Sequence, residues 1–359
     1  MGKLAVYKYF AFMFLVVQLL VSAFTFFGLF GGAADPGKNT ALAMLVYILP
    51  IMVLLNAILA LYWIIRRRWH WLAIPAVTLI CCIPYVGTLY QPSLFRSYDE
   101  SKSGLKIASY NVALFGREMT GFKAEDILSE MKKQKIDVLC LQEYMERSGD
   151  KENSKSYKEY FSYLCKGRDD MVIFSRYPIK SQDIIDFGPT NNSGMWADID
   201  VNGKLIRIFN VHLETTGFNR TLHKAAKMEM EGAHIEENAL VKAIYGNYTR
   251  GMIVRAAQAN IVAQKIRESN LPVIVCGDFN DVPYSYVYKT VKGDLVDAFK
   301  ECGHNWMYTF RGKKKVRIDY IFYDEQFTGE HFYKMDLSYS DHYPVFLKLS
   351  LQNQHQPSF

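Results

Sequence analysis

Three long uncharged apolar stretches dominate the first ninety residues of the chain. They cover residues 9–30, 41–65 and 71–90. A hydrocarbon core about 30 Å thick requires roughly 20 apolar residues per helix. The pattern therefore predicts a membrane anchor of three transmembrane helices over residues 1–90. A cleaved signal peptide is the alternative for the first stretch, but its apolar run is longer than an ordinary signal sequence and two further stretches follow it.

Basic residues at the ends of these stretches predict their orientation. Lys3 and Lys8 precede the first stretch, and the arginines at 66–68 join the second to the third, whereas the loop between the first two is nearly neutral. Positively charged flanks stay on the cytoplasmic side of a membrane. The N-terminus of this multi-pass protein is therefore expected in the cytoplasm, and an odd number of spans places the rest of the chain on the extracytoplasmic side.

Beyond the anchor, short strand-like runs alternate with helix-like ones. Runs rich in β-branched and aromatic residues begin at residues 105, 136, 170, 205, 271, 316 and 343. Residues 123–135 and 255–269 show helical spacing. This order predicts an α/β domain with a mixed, layered sheet core over 105–351. A polar linker is expected over 91–104 and a tail over 352–359.

Positive charge is concentrated in the anchor. The chain has a formal charge of +6. Residues 1–96 hold seven basic residues and one acidic residue, so the remaining residues hold 35 of each sign. The predicted domain thus lacks the overall positive balance that nonspecific nucleic-acid binding uses, although a local basic patch stays compatible with the sequence.

The six cysteines of the chain do not form the spacing pattern of a disulfide framework. Cys140 and Cys276 lie inside strand-like apolar runs, which favours buried free thiols. Cys165 and Cys302 are able to pair in principle, but nothing in the sequence indicates that they do.

Polar residues recur where the predicted strands end or begin. Eight such residues share this property: Asn111, Glu143, His212, Asp278, Asn280, Asp319, Asp341 and His342. Polar side chains at strand ends are how α/β domains build binding and catalytic sites. One such position carries little information, but eight distributed along the chain predict a common site.

The segments that carry these residues also resemble a known family. In chain order they read "SYNV", "LQE", "SRYPI", "NVHL", "GDFND", "RIDYIF" and "SDHYP". They resemble the endonuclease/exonuclease/phosphatase superfamily, which has the deoxyribonuclease-I-like fold, over residues 104–351. The resemblance implies a four-layer α/β sandwich, with two facing mixed β-sheets flanked by helices, and magnesium-dependent hydrolysis of phosphate esters.

The resemblance also implies a metal site. Phosphoester hydrolysis needs neutralised charge on the phosphoryl oxygens and an in-line water, and magnesium prefers oxygen ligands. Glu143 is the expected metal ligand, and Asn111 and Asp341 are expected to complete the site directly or through water. Mg2+ is the expected cofactor, with Mn2+ as a substitute.

His342 is the implied catalytic imidazole, and Asp319 is expected to accept a hydrogen bond from it and fix its tautomer. Asp278 is expected to orient or deprotonate the attacking water. Asn280 and His212 are expected to donate hydrogen bonds to the phosphate as charge develops. The sequence leaves open whether the imidazole of His342 or the carboxylate of Asp278 is the formal base.

Three further features leave alternatives open. Arg176 either braces the site or forms a structural salt bridge. Ala113 and His212 depart from the pattern of abasic-site repair enzymes, and both favour the deoxyribonuclease, lipid-phosphatase and phosphodiesterase branches. The long segment 217–254 either caps the site or is a solvated helical insertion.

These features predict a membrane-anchored, divalent-metal-dependent phosphoesterase that acts outside the cytoplasm. The expected substrate is a membrane-proximal phosphoester such as a lipid head group, and the alternative is an extracytoplasmic nuclease acting on nucleic acid. An inactive membrane-tethered binding module is the alternative of another class, but such proteins usually lose residues equivalent to Glu143 or His342. The bilayer is the expected partner of the N-terminal helices, and no obligate protein partner is evident. The tyrosines at 284, 286 and 288 are candidates for lipid contact, although core packing explains most of them.

Overall fold

In a computed structural model, the chain divides into a unit of helices and a unit of two β-sheets. The structure describes residues 3–93, 104–113, 124–144, 151–168, 170–190, 192–216, 221, 224–225, 227–228, 230–231, 236–312, 315–337 and 339–351. The first unit comprises Met1–Thr88 with Val282–Lys289, and the second comprises Leu89–Asp281 with Thr290–Phe359. Most of the predicted linker 91–104, all of the predicted tail 352–359 and part of the segment 217–254 lie outside the described residues.

The first unit is helical. Its helices are α1 (Lys3–Gly31), α2 (Thr40–Met44), a 3-10 turn (Leu45–Ile48), α3 (Leu49–Ile65) and α4 (Trp69–Val86). Within the described residues, three helical stretches are long and apolar enough to cross a membrane: Lys8–Gly31, Thr40–Ile65 and Trp69–Val86. The three apolar helices that the hydropathy pattern predicts are therefore present, and the third ends at Val86 rather than at residue 90.

A buried polar network joins these helices. The Asn56 Oδ1 accepts hydrogen bonds from Gln18 Nε2 and Ser22 Oγ, each at 3.0 Å. The Asn56 Nδ2 donates to Thr25 Oγ1 at 2.8 Å, and Thr78 Oγ1 donates to Ser22 Oγ at 3.1 Å. In a bilayer, where lipid chains provide little hydrophobic force between helices, hydrogen bonds of this kind would contribute to helix association.

The segment Val282–Lys289 also belongs to the first unit. Lys289 Nζ donates to the backbone oxygen of Leu29 at 3.0 Å. The rings of Tyr85 and Tyr284 meet edge to face with centroids 5.5 Å apart. Tyr288 is 4% exposed, so packing inside the protein accounts for Tyr284 and Tyr288.

The second unit contains two six-stranded mixed sheets. The strands of sheet I are β2 (Leu105–Asn111), β3 (Val138–Gln142), β4 (Tyr163–Lys166), β5 (Met171–Ser175), β13 (Phe327–Lys334) and β14 (Val345–Leu351). Those of sheet II are β6 (Ile179–Ile185), β7 (Gly194–Val201), β8 (Lys204–His212), β9 (Val273–Asp278), β10 (Val296–Asp297) and β12 (Asp319–Tyr323). Sheet I has the order β13-β14-β2-β3-β5-β4 and sheet II the order β10-β12-β9-β8-β7-β6. A separate two-stranded sheet pairs β1 (Tyr90–Gln91) with β11 (Asn305–Trp306).

Helices flank these sheets. They are α5 (Ala124–Gln134), α6 (Lys151–Tyr160), α7 (Glu237–Arg267) and α9 (Ala298–Cys302). A further helix, α8 (Tyr286–Lys292), begins within the segment Val282–Lys289 of the first unit. The helix predicted over 123–135 corresponds to α5. The helix predicted over 255–269 is only the C-terminal part of α7, because Gly246, Asn247, Thr249 and Gly251 have weak helix propensity and interrupt the apolar spacing before it.

The two sheets pack face to face through an apolar core. Residues on alternate positions of a strand point to opposite faces. Ile107 of β2 therefore joins Ile208 and Ile274 of sheet II in one buried cluster, whereas the next residue, Ala108, packs with Ile127 of α5 in another. The predicted fold class, two facing mixed sheets flanked by helices and preceded by three apolar helices, is confirmed.

All seven predicted strands form, and seven further strands were not predicted: β1, β4, β6, β7, β10, β11 and β13. The sequence of β6, "IKSQDII", is exposed over most of its length, and that of β13, "FTGEHFYK", has few buried residues. Both are edge strands, which do not need the apolar runs that identify central strands. All six cysteines are free. The predicted buried thiols of Cys140 and Cys276 are confirmed, and Cys165 and Cys302 do not pair.

Candidate active site

Strand direction brings the predicted residues of sheet II together. β8 and β9 are parallel and pair His212 with Asp278, so both side chains follow the same sheet edge. β12 runs antiparallel to β9, and its first residue, Asp319, is opposite Asp278. Asn280 follows two residues after Asp278. His212 and Asp319, which are 107 positions apart in the chain, therefore lie at the same edge of sheet II.

Sheet I supplies the other predicted residues from its matching edge. β2 and β3 are parallel and end together, so Asn111 lies close to Glu143. β14 is antiparallel to β2 and begins at the same edge, directly after the turn that carries Asp341 and His342. Asn111 Nδ2 lies 3.0 Å from Glu143 Oε1 and 3.0 Å from Asp278 Oδ2. The edges of both sheets thus meet in one polar site.

Unusual backbone conformations turn the chain at this edge. Glu143 and Asn280 have φ angles of 51° and 50°, which lie in the left-handed region that costs most non-glycine residues free energy. Gly277 has a φ of 146°, and a Cβ atom there would lie 1.9 Å from the backbone oxygen of Val211. The "GDFND" motif therefore needs glycine at its first position because the parallel neighbour strand passes too close for any side chain.

His342 is held by Asp319. The Nδ1 of His342 lies 3.0 Å from Asp319 Oδ2 and 3.2 Å from Oδ1. A carboxylate only accepts hydrogen bonds, so Nδ1 carries the proton and Nε2 is the reactive nitrogen. The Nε2 lies 3.7 Å from Asp278 Oδ2. The ring of Phe310 packs edge to face against the imidazole, with ring centroids 5.1 Å apart.

A second histidine–carboxylate pair involves a residue that the sequence did not identify. His212 Nδ1 lies 2.9 Å from Asp170 Oδ2, and Ser193 Oγ donates to Asp170 Oδ1 at 3.1 Å. The Nε2 of His212 faces the site, 3.7 Å from Glu143 Oε1 and 3.9 Å from Asp278 Oδ2. Asp170 precedes β5, which is antiparallel to β3 and pairs Met171 with the residue before Glu143, so its position at the start of a strand was the available signal.

Asp278 occupies the centre of the site. Both histidines direct Nε2 at its Oδ2, and Asn280 donates its backbone N–H to Oδ1 at 2.8 Å. The Nδ2 of Asn280 donates to the backbone oxygen of Leu213 at 3.0 Å. Asn280 therefore supports the carboxylate of Asp278 in this structure, in addition to the phosphate contact expected of it.

Burial and neighbouring charges shift the proton affinities of these groups. Burial by itself lowers the pKa of His342, but the charges of Asp319 and Asp278 outweigh burial and raise it. Burial likewise opposes protonation of His212, but its hydrogen bond to Asp170 and the charge of Asp278 raise its pKa. Burial is the largest influence on Asp278 and raises the pKa of its carboxyl group. The site thus favours protonated imidazoles beside a carboxylate that holds a proton more readily than usual.

The carboxylates at this edge fit a divalent cation. Within the described residues, Glu143, Asp278 and Asp341 form no ion pair with lysine or arginine, and the basic side chains that they pair with are histidines. The side chains of Glu143 and Asp341 are 35% and 56% exposed, so a hydrated ion can reach them. Magnesium and similar ions prefer oxygen ligands and keep several bound waters, so partly exposed carboxylates suit them.

Asp278, Asp319 and His342 also offer ligand atoms within 4.8 Å of one another. Both oxygens of Asp319 already lie within hydrogen-bond distance of His342 Nδ1. The carboxylate of Asp319 is therefore already engaged by the imidazole, whereas the carboxylates of Glu143 and Asp341 are more exposed.

Arg176 lies away from this site. It forms an ion pair with Asp137 at 2.9 Å, and its guanidinium lies over the ring of Tyr160. Arg176 follows β5 at the end opposite to Asp170. Of the two alternatives for Arg176, the structure therefore shows the salt bridge.

Two other arginines hold the motif segments instead. Arg255 Nε pairs with Asp281 of "GDFND" at 3.2 Å, and Arg255 Nη1 donates to the backbone oxygen of Glu214 at 2.7 Å. Arg317, two residues before Asp319, makes two hydrogen bonds to Asp297. Both guanidinium groups are fully buried, so each ion pair fixes the position of a strand end that carries a site residue.

Comparison with known families agrees with this geometry. A family model described as Endonuclease/Exonuclease/phosphatase family matches residues 108–342. Members of that family are phosphoric ester hydrolases that depend on divalent metal ions. Residues 11–89 match a second model, described as a domain of unknown function (DUF8431). Comparison with curated proteins gives no match.

Several solved structures are similar in fold. A humanized TDP2 from D. rerio is 20% identical with a TM-score of 0.50, and the match covers 69% of this chain and 100% of that chain. An endonuclease/exonuclease/phosphatase from Bacteroides vulgatus is 17% identical with a TM-score of 0.50, over 70% and 100%. One from Beutenbergia cavernae is 16% identical with a TM-score of 0.51, over 70% and 72%. At these identities the likeness establishes the fold and leaves the substrate open.

The pair of His212 and Asp170 gives a specific prediction. Asp170→Asn keeps the size of the side chain but removes the charge that holds the His212 proton, so kcat on a hydrolysed phosphoester should fall about 10- to 100-fold, with a smaller change in KM. The limb of the pH–rate profile that reports imidazole protonation should move to lower pH. Asp183→Asn on the exposed strand β6 is the matched control. Wild-type kcat and an unchanged pH profile in Asp170→Asn would exclude this role.

Proposed function

The chain belongs to the Endonuclease/Exonuclease/phosphatase family, and from this premise we propose that it is a membrane-anchored, divalent-metal-dependent phosphoesterase. One observation carries the proposal: two histidine–carboxylate pairs direct their Nε2 atoms at the same oxygen of Asp278, at 3.7 and 3.9 Å. A binding module that had lost catalysis would have no need of this arrangement. The complete set of polar residues at the site argues against the inactive alternative.

Glu143 and Asp341 are the residues that would hold magnesium, and Asn111 would orient Glu143. When bound, the ion would neutralise charge on the phosphoryl oxygens. Asn111 directs its Nδ2 at Glu143 and Asp278, while its Oδ1 accepts from the backbone N–H of Ala113 at 3.0 Å. We therefore assign Asn111 to the support of the two carboxylates, with contact to the ion through water.

The histidines and Asp278 would divide the proton transfers. Asp278 is buried and its pKa is raised, which suits a carboxylate that takes a proton from an attacking water. His342, held protonated by Asp319, would donate a hydrogen bond to the phosphoryl group and so stabilise the charge that develops there. His212 would do the same from the other side of Asp278. These assignments favour Asp278 as the base over His342.

The catalytic proposal predicts a metal-dependent hydrolase. Full-length protein should hydrolyse a chromogenic phosphodiester in magnesium or manganese and lose that activity in excess chelator. His342→Ala should reduce kcat by at least about 100-fold because it removes a hydrogen-bond donor to the charge that develops on the phosphoryl group. His304→Ala, outside the site, is the matched control. Activity that survives chelation, or an undiminished His342→Ala, would contradict the mechanism.

We further propose that the active site lies outside the cytoplasm and acts on a membrane-proximal phosphoester. The basic residues beside the apolar helices support the orientation. A domain that is covalently joined to a membrane anchor meets lipid-linked substrates at high effective concentration. The zero net charge after residue 96 provides little long-range attraction for nucleic acid. These points favour a phospholipid or lipid-linked phosphate over DNA.

One experiment tests orientation and substrate together. Spheroplasts of a bacterial host that expresses the full-length protein should release head groups from externally added phospholipid vesicles without lysis, and faster than they degrade external plasmid DNA. His342→Ala spheroplasts provide the background rate. Activity that appears only after lysis would reverse the orientation, and rapid DNA degradation without head-group release would make the protein a surface nuclease.

A further inference from the structure

Three cations surround two tyrosine rings in the second unit. Lys334 Nζ lies 3.0 Å from the ring centroid of Tyr308 and 4.2 Å from that of Tyr343. The guanidinium carbon of Arg311 lies 3.8 Å from the centroid of the Tyr343 ring. Lys315 Nζ lies 5.0 Å from that of Tyr308. We call these five residues the cationic–aromatic cluster.

The cluster is built on the chain segments that hold the catalytic turn. Phe310, which packs on His342, pairs with it in an isolated β-bridge, and Arg311 follows directly. The backbone N–H of Arg311 donates to the backbone oxygen of Asp341 at 2.6 Å. Lys334 ends β13 at the sheet edge where β14 begins, immediately after the catalytic turn. The cluster therefore lies at the same edge as the active site.

Positive charge in the cluster exceeds its local compensation. Within the described residues, Asp336 is the one acidic side chain that pairs with these cations, through Arg311 at 2.6 Å. The Nε of Arg311 is buried without a hydrogen-bond partner. Lys334 Nζ donates one hydrogen bond, to the backbone oxygen of Tyr308 at 2.8 Å. Burial, followed by the charge of Arg311, lowers the pKa of Lys334 to about 8.

A bound anion would offset the repulsion between the positive charges of Arg311, Lys315 and Lys334. Arg311 Nη2 already donates to Asp336 and to the backbone oxygen of Leu337. The tyrosine faces attract the cations, so the N–H groups that would meet an anion are those of Arg311 Nη1, Lys315 and Lys334. Guanidinium and ammonium groups together form strong, charge-assisted hydrogen bonds to phosphate oxygens. The cluster thus has the donors and the charge of a phosphate site.

We propose that the cationic–aromatic cluster is an anion-binding subsite that holds a second, non-reacting phosphate-type group while the reacting phosphoester lies at His342. This inference rests on the proposed phosphoesterase function, and it adds a preference for substrates or surfaces that carry a second anion. The second group comes either from a distal phosphate of the substrate or from an anionic lipid head group.

Binding of inorganic phosphate tests the subsite without any turnover. Full-length protein in neutral detergent and excess chelator should broaden the 31P resonance of inorganic phosphate. Lys334→Met and Lys315→Met should each reduce this broadening severalfold, and Lys334→Arg should preserve it. Lys204→Met is the matched control, since Lys204 is exposed at the start of β8 and His212 ends that strand at the catalytic edge. Equal broadening in the wild type and both methionine variants would overturn the subsite.

Turnover then identifies the source of the anion. Of two chromogenic phosphodiesters that differ only in a distal phosphate, the one that carries this phosphate should have the lower KM. Lys334→Met should raise the KM of that doubly anionic substrate about tenfold and leave its kcat unchanged. A KM effect on both substrates that appears only in bilayers of anionic lipid would assign the anion to a head group. Unchanged KM for both substrates in neutral and anionic bilayers would contradict the proposal. If no phosphoester is hydrolysed, the proposed function fails and the phosphate titration still decides whether the subsite exists.

Discussion

Carboxylates outnumber imidazoles around His212 and His342, and this imbalance of charge shapes the catalytic site. Asp278 and Asp319 are almost completely buried and Asp170 is largely buried, whereas only two imidazoles are available to balance these three carboxylates. Buried charges are costly unless they are paired and hydrogen-bonded. Each imidazole therefore binds one carboxylate through Nδ1 and turns Nε2 toward Asp278. The open carboxylates nearby leave a place for a further positive charge, which a divalent cation would supply.

The fold delivers these groups through two pairs of parallel strands. β2 with β3 in sheet I, and β8 with β9 in sheet II, end at the same edge of the sandwich. The amide of Asn111 crosses between the sheets to reach Asp278. Gly277 lets the strand before Asp278 pass close to Val211, and left-handed conformations at Glu143 and Asn280 turn their side chains at the strand ends. Packing of the apolar core between the sheets stabilises this strained arrangement.

Central strands and motif residues could be predicted from the sequence because each leaves a local signal. Buried strands such as β9 have continuous apolar runs, and Asp278 or His342 lies within a specific motif. Asp170 leaves only the weak signal of its position at the start of a strand, and its role follows from the antiparallel pairing of β5 with β3. The same pairing places Arg176 at the opposite edge, where it binds Asp137. Strand register, which depends on contacts between distant segments, determines that Asp170 lies at the catalytic edge and Arg176 at the opposite edge.

Direct metal binding tests the central claim that the uncompensated carboxylates form a divalent-cation site. Titration of the full-length protein with Mn2+, followed by the loss of free Mn2+ signal in electron paramagnetic resonance, should show one saturable site. Its affinity should fall about 10- to 100-fold in Glu143→Gln and remain unchanged in Glu268→Gln, an exposed position just after α7. Equal Mn2+ affinity in the wild type and Glu143→Gln would contradict the account.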